Sequence, residues 1–242
     1  MFRLSQPTAI MRGHLPKTML RILIAATMMS ISAWTSALAQ SGPRRFGGAV
    51  AGISTLSADA RSEITTAGVD VSLYKPENGP ALNVLFGVHV HDYVTIQANY
   101  VWNRNDVALM SVRATESSSA FYEQPRRASQ HAFVGDLLVY FRERNSRVRP
   151  YLAAGLGLVR LQTAASGEGR TNNLAPPPAR IETTRALLRV AVGIDVALRH
   201  GWSARYSFSE SVSGNPISAQ LSPPGRRNLA NFQNLFGVIR AF

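Results

Sequence analysis

His89 and His91 stand in the order His-x-His, a spacing that can put two imidazoles on one face of a strand as the start of a metal site. No third ligand is apparent. The two share a face only if the strand runs on through 91–93, so they read as two turn histidines near a rim. Ser129 and His131 are a second candidate, a hydroxyl two residues from a base. No acidic partner stands at a fixed spacing from them. The sequence holds no Gly-x-Ser-x-Gly, His-Glu-x-x-His or phosphate-binding loop. Gly155 and Gly157 follow a proline-led apolar segment, not the strand–loop–helix order of a phosphate site, and read as close packing. The absence of cysteine removes disulfides, thiolate metal sites and catalytic thiols. No catalytic, cofactor-binding or metal-ligating residue is therefore assigned, and no cofactor is expected.

Of the 242 residues, 45% are hydrophobic, which excludes a chain disordered throughout. The 26 basic and 14 acidic residues give +12, and every basic residue except Lys17 and Lys75 is arginine. Such a charge can attract nucleic acid. The arginines are scattered, however, and the densest run, 142–149, reads as a charged turn. The N-terminus points to a compartment. Arg3, Arg12, Lys17 and Arg21 form a leader with no acid, an apolar run follows at 22–34, and Ala37-Leu38-Ala39 is a small-residue cleavage site. The run is too short for a helix to cross a hydrocarbon core of about 30 Å. Residues 1–39 are read as a signal peptide cut before Gln40, with Met11 and Met19 as alternative starts, and 40–242 as the exported domain. Removing the four basic leader residues from +12 leaves +8. An exported chain does not meet cytoplasmic DNA, so no nucleic-acid partner is expected.

The exported part has a period of two. Leu82, Val84, Phe86, Val88 and Val90 alternate with Asn83, Leu85, Gly87 and His89. Val94, Ile96, Ala98, Tyr100 and Trp102 alternate with Thr95, Gln97, Asn99 and Val101. The same holds at 188–198 and 202–208. Side chains alternate across a strand, so each segment has an apolar face and a polar or small one. Four less regular segments, 46–56, 132–141, 151–161 and 231–242, bring the expected strands to eight of about ten residues each, the length of a tilted strand crossing a membrane. Their connections alternate in length: short at 91–93, 142–150 and 199–201, long at 57–80, 104–130, 162–184 and 211–230. The long ones carry turn formers such as Pro176-Pro177-Pro178. Short periplasmic turns and long extracellular loops are the habit of outer-membrane barrels.

The segment Arg149-Pro150-Tyr151-Leu152-Ala153-Ala154-Gly155-Leu156-Gly157 is similar to the Pro-Tyr-…-Gly-x-Gly strand of the eight-stranded outer-membrane barrels, the family of outer-membrane protein A-like and opacity-type domains. Phe242, with Val238 and Phe236 in phase, resembles that family's C-terminal assembly signal; Arg240 departs from it. The stretch 193–208 also resembles the family. The resemblance implies an all-β, antiparallel up-and-down transmembrane barrel in the outer membrane of a Gram-negative bacterium. It also implies two partners: outer-membrane lipids, and the barrel-assembly machinery through the last strand.

In that fold Tyr93, Tyr151, Trp202 and Phe242 fall at the short-turn end, and Tyr100 and Trp102 at the other, as two aromatic girdles. If Leu198 faces Trp202 across the turn at 199–201, antiparallel partners sum to 400. Asp195 then lies opposite Arg205, with both pointing inwards, away from lipid where an arginine costs about 2–4 kcal/mol. Arg189 shares that face and can reach Asp136 across the lumen. The inward set Leu85, Gln97, Asn99, Asp136, Arg189 and Arg205 is bulky or charged, and eight strands leave room only for side chains. The expected function is a non-enzymatic barrel without an open pore, structural or surface-binding (adhesin-like) through its extracellular loops, whose ligand is unknown. Two alternatives stand beside it: a membrane-embedded lipid-modifying hydrolase on the same barrel, and a soluble secreted lipocalin-like carrier, whose apolar faces would point inwards.

Overall fold

The computed structural model describes residues 44–66 and 68–242; the signal-peptide reading of 1–39 lies outside them. The strands are β1 (Arg45–Leu56), β2 (Asp59–Thr65), β3 (Gly68–Pro76), β4 (Gly79–His89), β5 (Val94–Ala114), β6 (Ser119–Tyr140), β7 (Val148–Ala165), β8 (Arg170–Asn172), β9 (Arg180–Ala197), β10 (Trp202–Gly214) and β11 (Asn228–Ala241). Eight of them close a ring: β1, β4, β5, β6, β7, β9, β10 and β11 pair antiparallel in that order, and β11 returns to β1. This is the expected eight-stranded up-and-down barrel.

Alternation decides which side is apolar. Val84, Phe86, Ile96, Phe133, Leu137, Leu156, Leu188, Val192 and Phe236 lie on the outside, and Phe133 and Leu156 keep 67% and 70% of their surface exposed. The inside of the same strands holds buried Asn83, Gln97, Asn99, Asp136, Arg189 and Arg205. A soluble carrier would reverse this polarity, so the lipocalin-like reading fails. The exterior band is a surface made for lipid. The glycine-rich β1, whose faces were ambiguous in the sequence, turns Phe46, Val50 and Ser54 inwards and leaves Ile53 outside.

Three expectations need correction. First, the long connections are mostly strand. β5 and β6 run for 21 and 22 residues and are joined only at 115–118. Above the band their inward residues stay buried (Asn103, Asn105, Val107 and Leu109), while Arg104 and Asp106 face out. A strand standing in water has no apolar outer face, so a search for apolar alternation misses it. The segment 57–80 is likewise a hairpin, β2–β3, with β3 paired to the top of β5. Secondly, Tyr151 is not a girdle residue: it lies inside, 3% exposed, its ring tilted against that of Tyr140 with centroids 5.4 Å apart. Thirdly, His89 is no turn residue. It is a lumenal side chain whose Nδ1 lies 2.6 Å from the Thr95 hydroxyl, whereas exposed His91 stacks on Tyr93. The two imidazoles therefore do not share a site. Tyr93, Trp202 and Phe242 do surround the short-turn end with 37%, 41% and 61% of their surface exposed.

The connection from β10 to β11 folds back over the open end. Its 3-10 turn (Ser218–Gln220) drops Ile217 and Leu221 onto Leu56, Tyr74, Leu109, Tyr122, Leu161 and Leu229, an apolar cap above the polar lumen. The Ser72 hydroxyl donates to the Pro223 carbonyl at 2.6 Å, and the Arg226 guanidinium lies 3.5 Å from the Asp59 carboxylate. The capping connection is thus fastened to the β2–β3 hairpin.

Three connections report the orientation of the barrel. A protease site inserted in the exposed stretch 166–169 is expected to be cut on intact cells, and one at 142–147 to be protected. One within 217–223 is expected to be cut much more slowly than the first, because the cap holds it. Cleavage at 142–147 together with protection at 166–169 overturns the orientation.

Candidate functional site

The lumen holds the densest chemistry of the described residues, and the β9–β10 turn sets it up. His200 and Gly201 take φ of 57° and 77°, the left-handed backbone that lets so short a connection reverse the chain. The resulting register pairs Ala204 with Val196, Arg205 with Asp195 and Tyr206 with Ile194.

Inside, Arg205 grips Asp195 with both arms. Its Nε donates to Oδ1 at 2.6 Å and an Nη to Oδ2 at 2.6 Å, with the two side chains 1% and 5% exposed. The same Nη reaches the Tyr140 hydroxyl at 2.9 Å, and that hydroxyl donates to Asp195 at 2.8 Å. The other Nη donates to Gln97 Oε1 at 2.6 Å. The Gln97 amide passes the chain to Asn99 at 2.7 Å, and Asn99 donates to Asp136 at 3.0 Å. Asp136 closes the series by accepting from Arg189 at 2.8 Å, both side chains 3% exposed. Four charged groups, linked through Tyr140, Gln97 and Asn99, thus form one network across β5, β6, β9 and β10. Charge-assisted, bidentate bonds of this kind are the strongest available to side chains.

Asp136 and Arg189 are on strands that do not pair, with β7 between them. Gly155 of β7 is the partner of both. A Cβ there would lie 2.0 Å from Asp136 Oδ1, so glycine is what lets the pair meet. Gly193 does the same for Tyr151, whose ring carbon would lie 2.4 Å from an added Cβ. The guanidinium of Arg205 stands 5.0 Å from the Tyr151 ring and 5.3 Å from that of Phe46. At the short-turn end Arg149, 3.8 Å above the Tyr140 ring, donates to the Asp92 carbonyl at 3.0 Å. The cavity left among Asn83, Gln97, Asp136, Arg189 and Arg205 is about 10 Å³, room for about one water.

Higher up, Asn231 accepts from Ser54 and donates to Asn103 and Gln130 at 2.8, 3.1 and 2.9 Å. Arg126 is fully buried in the extended wall. It has no carboxylate partner among the described residues and instead donates to the hydroxyl of Thr163, Gln124 and the carbonyls of Pro178 and Ala179. Burial lowers its pKa from the ordinary arginine value. It ties the β7–β9 connection to the barrel. On the outer wall, hydrogen bonding to Arg160 lowers the pKa of exposed Glu182.

The sequence reading had no place for Tyr140, Arg149 and Arg126. The signal for Tyr140 was there: it is in phase with Asp136. Ser129 and His131 do lie together on the outside of β6. The Ser129 hydroxyl is 3.5 Å from His131 Nε2, at the edge of a hydrogen bond, while Nδ1 is 2.8 Å from the Tyr100 hydroxyl, not from a carboxylate. Among the described residues no three His, Asp or Glu side chains converge as a metal site would require. Phe236 and Val238 line the exterior of β11, the strand that closes the ring on β1, and exposed Phe242 follows its last residue. Arg240, which interrupts them, stands 5.5 Å over the Trp202 ring.

Asp195→Ala leaves the Arg205 charge buried without its anion, and the expected cost is about 3–5 kcal/mol in urea unfolding from lipid. Adding Arg205→Ala is expected to recover part of that loss. Additive losses in the cycle would show that the two groups are not coupled.

The outer membrane protein beta-barrel domain model matches residues 22–223, well over half the chain. Comparison with curated proteins gives no match. Among solved structures, the outer membrane protein OprG from Pseudomonas aeruginosa is similar at TM-score 0.50 and 11% identity, over 83% of this chain and 96% of its own. The Neisserial surface protein A, NspA, gives 0.45 and 16%, covering 84% and 100%. Ail, the attachment invasion locus protein of Yersinia pestis, gives 0.41 and 10%, covering 83% and 100%. With a closed ring of eight strands, an apolar exterior and this match, the chain belongs to the outer membrane protein beta-barrel domain family and resides in the outer membrane of a Gram-negative bacterium.

Proposed function

We propose that the protein is a non-enzymatic barrel without an open pore, serving a structural or surface-binding role through the part of its wall that stands outside the membrane. The observation that carries this is the filled interior. The ionic network crosses the lumen, about 10 Å³ remains within it, and the β10–β11 connection caps the outer end with apolar side chains. Ions would have to displace paired charges or lift the cap. The extended wall supplies the surface: β5, β6 and the β2–β3 hairpin form a braced sheet of mixed charge, and edge strand β2 is exposed along its length. The apolar band supports our reading of outer-membrane lipids as one partner, and the outward Phe236, Val238 and Phe242 at the chain end support that of the assembly machinery as another.

One observation favours a second reading, a lipid hydrolase on the outer wall: the Ser129–His131–Tyr100 contact. The serine–histidine distance is long, and a phenol instead of a carboxylate orients the imidazole, so it ranks below the first.

The reconstituted protein is expected to give no stable single-channel steps in planar bilayers. Its vesicles are expected to release no fatty acid above the level of Ser129→Ala and His131→Ala. Large, long-lived conductance overturns the closed-pore reading, and hydrolysis abolished by both substitutions overturns the non-enzymatic one.

A further inference from the structure

The positive charge of the exported part is concentrated at one end. Arg44, Arg45, Arg142, Arg144, Arg147, Arg149, Arg199 and Arg240 all lie at the short-turn end of the barrel, against Asp92 and Glu143. The long-connection segments 57–80, 104–130, 162–184 and 211–230 together carry ten basic and nine acidic side chains. The excess that gave no reason to expect nucleic acid is therefore a collar facing the periplasm. The two acids within it are occupied: Glu143 accepts from the Tyr93 hydroxyl at 3.1 Å, and Asp92 lies 4.0 Å from Arg144. Among the described residues, Arg45, Arg142, Arg147 and Arg199 make no ion pair.

Three of these arginines form one sector. Arg199 is in the β9–β10 turn, Arg240 near the end of β11 and Arg45 at the start of β1, on successive parts of the ring. Arg240 is in phase with lipid-facing Phe236 and Val238, and its partner on β10 is Trp202. Its partner on β1 is Gly47, which puts Arg45 on the same outward face, and the Phe242 amide donates to the Arg45 carbonyl at 2.9 Å. The Arg240 guanidinium thus stands over the exposed Trp202 ring, facing sideways from the barrel, with Arg45 on the same outward face of the next strand and Arg199 in the turn three residues before Trp202. Aromatic belts mark the depth of the headgroups, and phosphates are the anions found at that depth. A soluble acidic macromolecule would instead need the charges to face down from the rim.

We propose that this sector, Arg45, Arg199 and Arg240 around Trp202 and Phe242, binds the phosphates of anionic phospholipids in the periplasmic leaflet. Guanidinium pairs with phosphate through parallel N–H donors, while the rings take up the glycerol and upper acyl region.

The full chain carrying Trp34→Phe and Trp102→Phe keeps Trp202 as its one tryptophan, next to the sector. It is reconstituted in phosphatidylcholine vesicles containing brominated phosphatidylglycerol or brominated phosphatidylcholine, and quenching gives the relative affinity of the two lipids. A preference for phosphatidylglycerol of about fivefold or more is expected, on the scale of one arginine at an anionic surface. Arg45→Gln with Arg199→Gln and Arg240→Gln is expected to bring it to unity, and the three Arg→Lys changes to keep most of it. Heat-modifiability on a gel shows that each variant is folded. Inorganic phosphate and chloride at matched ionic strength are expected to lower the preference equally. Equal quenching by both lipids, or a preference that survives the triple Gln variant, overturns the proposal. So does abolition by phosphate alone, which would make this a free-anion site. Binding of soluble polyglutamate without any lipid preference overturns it too, and makes the collar a docking surface for an acidic macromolecule.

Discussion

The Arg205 guanidinium has 1% of its side chain exposed, in a lumen too narrow to hydrate it. A buried charge is tolerated only where an opposite charge and further hydrogen bonds surround it. Asp195 supplies the charge, Tyr140 and Gln97 each take a further donor, and two aromatic rings close the sides. Each of these contacts needs its strand in one register only. A slip of one residue on β9 or β10 would send Arg205 or Asp195 into lipid. The network is thus a registry device as well as a plug, and Gln97, Asn99 and Asp136 extend it to three more side chains on β5 and β6.

Small residues make that arrangement possible. Gly155 opens the space through which Asp136 meets Arg189, and Gly193 admits the Tyr151 ring. The exterior obeys a different rule, since lipid accepts apolar side chains of almost any shape. Where polar groups do face outwards in the band, they find each other: the Tyr206 hydroxyl donates to Asn234 at 2.6 Å. Above the band the strands continue, but water replaces lipid. The wall is then held by hydrogen bonds through Arg126 and Asn231 and by the apolar cap.

The period of two made the barrel, its strand number and its polarity legible, and a single turn was enough to place Asp195 opposite Arg205. That placement worked because register follows arithmetic once one pair is known. Tyr151 was misplaced although its phase with Gly155 pointed inwards; its aromatic character and position near a turn outweighed the alternation. His89 was misread for a similar reason, since His91 beyond the strand end drew it into a turn. The extended halves of β5 and β6 and the β2–β3 hairpin escaped because a strand in water need not be apolar on either side. The cap rests on Ile217 and Leu221, which are set among serine and proline in a stretch that reads as loop, and only the tertiary fold brings them to Leu109 and Tyr74. The basic collar was visible as net charge, but its location depends on which turns share an end.

Gly155→Ala and Gly135→Ala, on neighbouring strands, test most directly whether the lumenal network governs the barrel. A Cβ at Gly155 would lie 2.0 Å from Oδ1 of the Asp136 carboxylate that Arg189 holds and 2.4 Å from the Gly135 carbonyl, so Asp136 would have to shift, whereas one at Gly135 meets nothing within 4 Å. Urea unfolding of the two variants in the same lipid is the measurement. The account predicts that Gly155→Ala loses about 1–3 kcal/mol, as overpacking does, while Gly135→Ala stays close to the parent. Equal stability of the two variants would contradict it.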